Sequence, residues 1–270
     1  ICYMALYGTG VYGSVVEEPD GEIWSLGRSS MNVIDPSAGQ AASHRPWLRS
    51  YPEGIPAEIP PLTHRSVAEL FEDSCRRNAS KVAFICMGKS LTYGEVDRAS
   101  AKVAEWLQGA GLRKGDRVAV MLPNVLQYPV TVMGILRAGM TVVNVNPLYT
   151  SRELEYQLKD SGARAIFVLE NFARTVEQVV DQTDVKHIVV GTMGDMLGLK
   201  GHVVNFVVRK IKKLVPAWSL PSHVPFKDVM EGGGRYRQQD IGPEDIAFLQ
   251  YTGGTTGISK GAVLLNRNVL

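Results

Sequence analysis

Apolar positions along this chain recur in short periodic stretches separated by Gly, Pro and small polar residues. Ser66 and Glu69 have the spacing of a capping box, and Val67, Leu70, Phe71 and Cys75 share one helical face, so a helix is expected to about Arg77. A second box, Thr92 with Glu95, opens a helix that turns Val96, Ala99, Val103 and Leu107 inward and stops at Gly109 and Gly111. The run 118–122 is uniformly apolar, ends at Pro123 and reads as a buried strand. Pro129, tolerated in a first turn, and Gly139, a fitting C-cap, bound the next helix. Residues 141–145 follow as a strand, Thr150 and Glu153 cap a helix to about Ser161, and 165–169 form another strand. A helix over 172–180 and a strand over 187–190 continue the alternation. The class is α/β, a mostly parallel sheet covered by helices on both faces.

Composition narrows the function classes. Lys and Arg number 29 against 27 Asp and Glu, a net charge of +2, which excludes a strongly basic nucleic-acid binder, and 45% hydrophobic residues exclude a disordered tail. Cys2, Cys75 and Cys86 form no C-x-x-C pair and the histidines are dispersed, so neither a disulfide framework nor a metal site is expected. The most apolar stretch, 130–145, is interrupted by Arg137 and is shorter than the ~18 residues a membrane span needs. No basic segment precedes the apolar residues 1–7 as in a signal peptide, and a cytoplasmic location is expected. The chain begins with Ile, Met31 is a candidate internal start, and 37–62 is rich in Ala, Ser, Gly and Pro. Residues 1–46 are therefore set apart as an atypical extension and 47–270 as the folded part.

The chemistry concentrates at one place. A buried strand over 246–251 runs into Thr252-Gly253-Gly254-Thr255-Thr256-Gly257-Ile258-Ser259-Lys260-Gly261, followed by a second apolar run over 262–265. The four glycines let backbone N–H groups approach an anion without Cβ clashes, the hydroxyls of Thr252, Thr255, Thr256 and Ser259 add short donors, and Lys260 adds a positive charge. A phosphate cradle outweighs a flexible turn at this composition. It is not the Walker loop, because Lys260 is followed by Gly261 and not by Ser or Thr.

This stretch resembles the phosphate loop of the adenylate-forming, AMP-binding superfamily of acyl-CoA synthetases. Further segments resemble its bacterial long-chain fatty acid CoA ligase branch: 51–59, Leu91-Thr92-Tyr93-Gly94-Glu95, Met121-Leu122-Pro123-Asn124 with the residues to Pro129, Arg137-Ala138-Gly139, and Val145-Asn146-Pro147-Leu148-Tyr149-Thr150. The resemblance spans 47–270 and implies the N-terminal portion of an adenylation domain. It implies attack of a fatty acid carboxylate on the α-phosphate of ATP with Mg2+, departure of pyrophosphate, and transfer of the acyl group to coenzyme A, with no tightly bound prosthetic group. Thr252 and Lys260 take catalytic roles in this picture. The nucleotide is held by 251–261, that is Tyr251, Thr252, Gly253, Gly254, Thr255, Thr256, Gly257, Ile258, Ser259, Lys260 and Gly261. None of the cysteines is needed as nucleophile, and Cys75 and Cys86 suit buried positions.

The sequence departs from the family pattern at two positions. Ser259 stands where the family commonly has Pro, and Asn266 where it has a histidine near the substrate. The family's Tyr-Gly-x-Thr-Glu segment, its Thr-Gly-Asp segment and its small C-terminal domain lie outside these 270 residues, which alone are not expected to form acyl-CoA. Two other readings stay open: adenylation of an aryl or amino acid, and a nucleotide-binding fragment without catalysis.

Weaker signals complete the picture. Gly8-x-Gly10-x-x-Gly13 matches a dinucleotide fingerprint, but Pro19 and Asp20-Gly21 stand where its helix belongs, so it is read as a chance match. Within 203–218, Val204, Val207, Val208, Ile211 and Leu214 repeat at helical spacing opposite Arg209, Lys212 and Lys213, with Lys210 at the border. That pattern is read equally as a packed helix or as peripheral contact with an anionic membrane, the inner face of which is then the location. Asn144, Asn146 and Tyr149 flank a strand end, where turns and ligand sites both occur.

Overall fold

The computed structural model describes residues 45–252 and 259–270. Residues 45–61 belong to one compact unit and Leu62–Leu270 to another. In the first, a short 3-10 helix (Pro46–Ser50) carries Pro in its first turn, and Arg45 pairs with Glu58.

In the second unit, α1 (Val67–Asn78) precedes a hairpin of β1 (Val82–Cys86) and β2 (Lys89–Thr92), which leads into α2 (Tyr93–Gly109). Then follow β3 (Arg117–Met121), α3 (Gln127–Arg137), β4 (Thr141–Asn144), α4 (Ser151–Ser161), β5 (Ala165–Leu169), α5 (Ala173–Glu177) and β6 (His187–Gly191). The remainder is α6 (Leu199–Phe206), β7 (His223–Pro225), α7 (Phe226–Val229), β8 (Ile246–Thr252), β9 (Lys260–Leu265) and α8 (Asn266–Val269). The sheet order is β7-β6-β5-β3-β4-β8-β9, with every pair parallel except β8 and β9. The expected α/β class is what the structure has.

Strand side chains alternate between two cores, as a pleated sheet covered on both faces requires. Val118, Val120, Val142, Phe167 and Val189 join the residues of α1, α2 and α3 on one face. Ala119, Met121, Val143, Ile166, Val168 and Val190 join those of α4 and α5 on the other. Full burial of a side chain such as Phe167 stabilises by about 1.5–3 kcal/mol. Helices α2 and α3 approach closely because Gly134 has no side chain: a Cβ there would lie 2.5 Å from Val103 Cβ.

The local signals hold where side chains cap backbone. Both Thr92–Glu95 and Thr150–Glu153 form reciprocal capping boxes, and Gly162 ends α4 at φ +60°. At α1 the box is half made: Ser66 Oγ accepts from Glu69 N, but the Glu69 carboxylate accepts from Arg65 N instead of Ser66 N. Two other expectations are corrected, and one element has no counterpart among them. Leu70 lies outside the core, and Ala68 takes its place beside Phe71 and Cys75. The helix expected over 172–180 is shorter, because 170–172 is a 3-10 turn and Val179 at φ −129° interrupts the continuation. The β1–β2 hairpin was not anticipated; it turns through Met87 and Gly88, both at positive φ.

Arg137, which breaks the apolar stretch 130–145, is a buried knot between helices. Its guanidinium donates to Glu72 Oε1 (3.0 Å), Tyr236 Oη (3.0 Å), Asp97 O (2.8 Å) and Ser100 Oγ (2.9 Å), and pairs with the Asp97 carboxylate. It also lies 5.1 Å from the centre of the Tyr236 ring, a cation–π contact.

Candidate functional site

The site lies where β8 reaches the carboxyl edge of the parallel sheet, the edge at which open α/β sheets bind ligands. Parallel pairing of β8 with β4 sets Asn144 beside Gln250, and antiparallel pairing with β9 sets Thr252 opposite Lys260 and Tyr251 opposite Gly261. The two residues given catalytic roles therefore face one another as the last pair of the hairpin, at the mouth of the loop. Both are exposed. Ser259 Oγ donates to Thr252 O at 3.0 Å and closes the neck. Gly253, Gly254, Thr255, Thr256, Gly257 and Ile258 lie outside the described residues.

Below the neck the hairpin is anchored by its ring residue. Tyr251 is buried and its hydroxyl donates to Asp160 Oδ2 at 2.6 Å, at the end of α4. Burial, then the hydrogen bond and charge of Asp160, push the phenol well above its ordinary pKa, so it stays a neutral donor. Gly261 leaves room for this ring: a Cβ there would lie 3.0 Å from Tyr251 Cζ. Tyr251 thus points its hydroxyl to α4, and sequence reasoning missed its partner Asp160, which no local pattern marks.

A polar chain runs beside it. Tyr128 Oη donates to Asn144 Oδ1 (3.0 Å), Asn144 Nδ2 donates to Gln250 Oε1 (2.9 Å), and Gln157 Nε2 donates to Asn144 O (2.7 Å). Burial raises the Tyr128 phenol pKa despite the bond to Asn144, which keeps it a donor. Asn144 therefore ties α3, β4 and β8 together at the sheet edge. Asn146 is a turn residue, its side chain accepting from Leu148 N.

Asn266, at the position where the family pattern has histidine, is buried and turned into the fold. Its Oδ1 accepts from Val67 N (2.9 Å), one of the orphan donors at the start of α1, and its Nδ2 donates to Asp245 O (3.0 Å). Cys75 is buried, its thiol pushed up to about 11 chiefly by desolvation, and Cys86 is likewise buried with its thiol raised. Neither is a thiolate near neutral pH. Cys2 and the Gly8-x-Gly10-x-x-Gly13 pattern lie outside the described residues. No group of three or more His, Cys, Asp or Glu suited to a metal occurs among the described residues.

A mostly parallel sheet whose strand β8 runs at its carboxyl edge into a glycine- and threonine-rich sequence flanked by Thr252 and Lys260 defines an α/β protein with its candidate ligand site at that edge. The model of the AMP-binding enzyme family matches residues 71–270. The chain belongs to that family. It is 54% identical over 228 residues to a long-chain-fatty-acid–CoA ligase of Escherichia coli, an alignment covering 83% of this chain and 41% of that protein. Among solved structures, a long-chain-fatty-acid-CoA ligase of Archaeoglobus fulgidus superposes with a TM-score of 0.62 at 26% identity, over 80% of this chain and 39% of that one. An anthranilate CoA ligase in complex with anthranoyl-AMP shares the fold, with a TM-score of 0.64 at 23% identity over 79% and 37% of the two chains. The chain spans about two fifths of the length of the curated relatives it matches.

Proposed function

We propose that this chain is the N-terminal portion, over 47–270, of the adenylation domain of a ligase that activates long-chain fatty acids. The acid's carboxylate attacks the α-phosphate of ATP carried with Mg2+, pyrophosphate leaves, and the thiol of coenzyme A then displaces AMP from the acyl-adenylate. Most of the protein's task in such a transfer is positioning and charge neutralisation. Thr252, Thr255, Thr256 and the loop amides hold the phosphates, and Lys260 offsets charge on the departing pyrophosphate. Tyr251 and Gly261 set the base of the loop through Asp160. The sulfur that attacks belongs to the cosubstrate, in keeping with two buried protonated thiols.

The observation that carries this reading is the β8–β9 register, which opposes Thr252 and Lys260 at the loop mouth. The test is exchange of pyrophosphate into ATP by the complete polypeptide, dependent on a long-chain fatty acid. A single lysine offsetting leaving-group charge is worth on the order of 1–2 kcal/mol, so Lys260→Ala slows exchange on the order of tenfold. Exchange supported only by aryl or amino acids would replace the substrate assignment, and binding of ATP without exchange for any acid would make this a non-catalytic nucleotide site.

Peripheral contact with an anionic membrane through 203–218 belongs to the same proposal and suits a substrate that partitions into lipid. No helix among the described residues is long and apolar enough to cross a membrane.

A further inference from the structure

The segment after β6 is amphipathic in an unusual sense: its polar residues anchor it and much of its apolar surface faces out. Gly201 of α6 packs directly on Gly194, where a Cβ on either would come within about 2.2 Å of the other's backbone oxygen. Asn205 donates to Thr192 Oγ1 (2.9 Å) and accepts from Gly194 N (2.8 Å). Arg209 grips the buried Glu170 through Nε and Nη2, the latter at 2.7 Å. Leu214 O and Ala217 O accept from Asn171 and Arg174. This corrects the sequence pattern: Arg209 is an anchor and not part of a free cationic face, and Val208 is buried.

The outward stripe is therefore a different one. At ~100° per residue Leu199, Val203 and Phe206 fall within about 60° of each other, opposite Gly201 and Asn205. Their exposures are 89%, 65% and 58%. From Val207 to Ile211 the chain winds as a π-helix, with Lys212 N bonded to Val207 O. The wider turn brings Ile211, 64% exposed, round to the same stripe, where ordinary helical spacing would have carried it past. Leu214 is also exposed. Lys200, Lys210, Lys212 and Lys213 are exposed in the same segment, and no Asp or Glu occurs between Asp195 and Asp228.

We propose that Leu199, Val203, Phe206 and Ile211 insert into the interfacial region of a lipid bilayer bearing anionic headgroups, with the four lysines on those headgroups. Charge decides the occupant. A second copy would bring the same lysines face to face without acidic partners in this segment, whereas an anionic bilayer offers both an apolar interior and opposite charge. The inference rests on the membrane part of the proposed function but not on its chemistry, and its readouts are binding and depth, not turnover.

The test is flotation of the complete polypeptide with vesicles of phosphatidylcholine, with and without phosphatidylglycerol. Binding is expected only with the anionic lipid. The triple change Lys210→Gln, Lys212→Gln, Lys213→Gln lowers it on the order of fivefold per lysine, and Val203→Gln with Phe206→Gln lowers it tenfold or more. Lys159→Gln with Lys186→Gln, outside this segment, changes it little. In Phe206→Trp, fluorescence quenching by brominated lipid exceeds that of the parent protein. Absence of binding, binding insensitive to Phe206 and Val203, or no extra quenching in Phe206→Trp would each overturn the proposal. So would a dimer in sedimentation that protects this stripe, or retention by an acidic protein but not by vesicles.

Discussion

Replacing Arg137 with Met keeps an unbranched apolar stem of similar bulk and removes the guanidinium. The loss comprises donors to Glu72, Tyr236, Asp97 O and Ser100 Oγ, all at 2.8–3.0 Å. Breaking a buried pair by removing one partner costs about 3–5 kcal/mol, since the other charge is left stranded. Here the Glu72 side chain is 23% exposed and that of Asp97 41%, so water reaches both carboxylates and the low end, about 3 kcal/mol, applies. With a urea slope of roughly 3 kcal/mol/M, the unfolding midpoint falls by about 1 M. Followed by circular dichroism, Arg137→Lys should recover part of the loss, because an ammonium keeps the charge but cannot span the fork of partners. Adding Glu72→Leu to Arg137→Met should also recover part, by removing the stranded carboxylate. A midpoint shift below ~0.3 M for Arg137→Met, about 1 kcal/mol, would refute the reasoning.

Gly134→Ala places a Cβ 2.5 Å from Val103 Cβ and 2.8 Å from Ser100 O, so α2 and α3 must separate, and the loss is about 2–3 kcal/mol. Val103→Gly in the same chain, by removing the Cβ that the new methyl would strike, gives a double variant more stable than the two single losses summed, read from urea midpoints. Asp245 is raised by partial burial but lowered further by the Gly242 N–H and by Lys114, which leaves its carboxyl below the ordinary range. Its contribution is then present above the unfolded carboxylate pKa of ~3.9 and lost as pH falls through the folded value. Asp245→Asn should accordingly destabilise at pH 7 and much less at pH 3, measured by urea midpoints; equal losses at both would exclude the carboxylate as the cause.

Signals carried by neighbouring residues read well from the sequence. The Thr92–Glu95 and Thr150–Glu153 boxes close within one turn, and β5 has the expected bounds because its uniform apolarity matches a strand covered on both faces. The candidate site stands out in the sequence because its glycines, hydroxyls and lysine are contiguous, and of that stretch the structure adds the pairing of Thr252 with Lys260. What failed was anything fixed by distant partners. Asp160 is 91 positions from Tyr251, and Glu170 takes Arg209 away from the cationic face that helical spacing suggested. The π-helix shifts the phase of the segment by about a residue, so a constant 3.6-residue period misplaces Ile211. Met87-Gly88 escaped because the usual Asn-Gly or Asp-Gly signal of a two-residue hairpin is absent.

The hydrogen bond from Val67 N to Asn266 Oδ1 joins positions 199 apart. Intrahelical bonding leaves that amide without a partner, so its protection against solvent deuterium depends on the strand pair that bears the loop being seated. Exchange at this single backbone proton is thus a built-in gauge: it reports from the beginning of one helix whether the β8–β9 hairpin is docked, and it does so without a label on the hairpin itself.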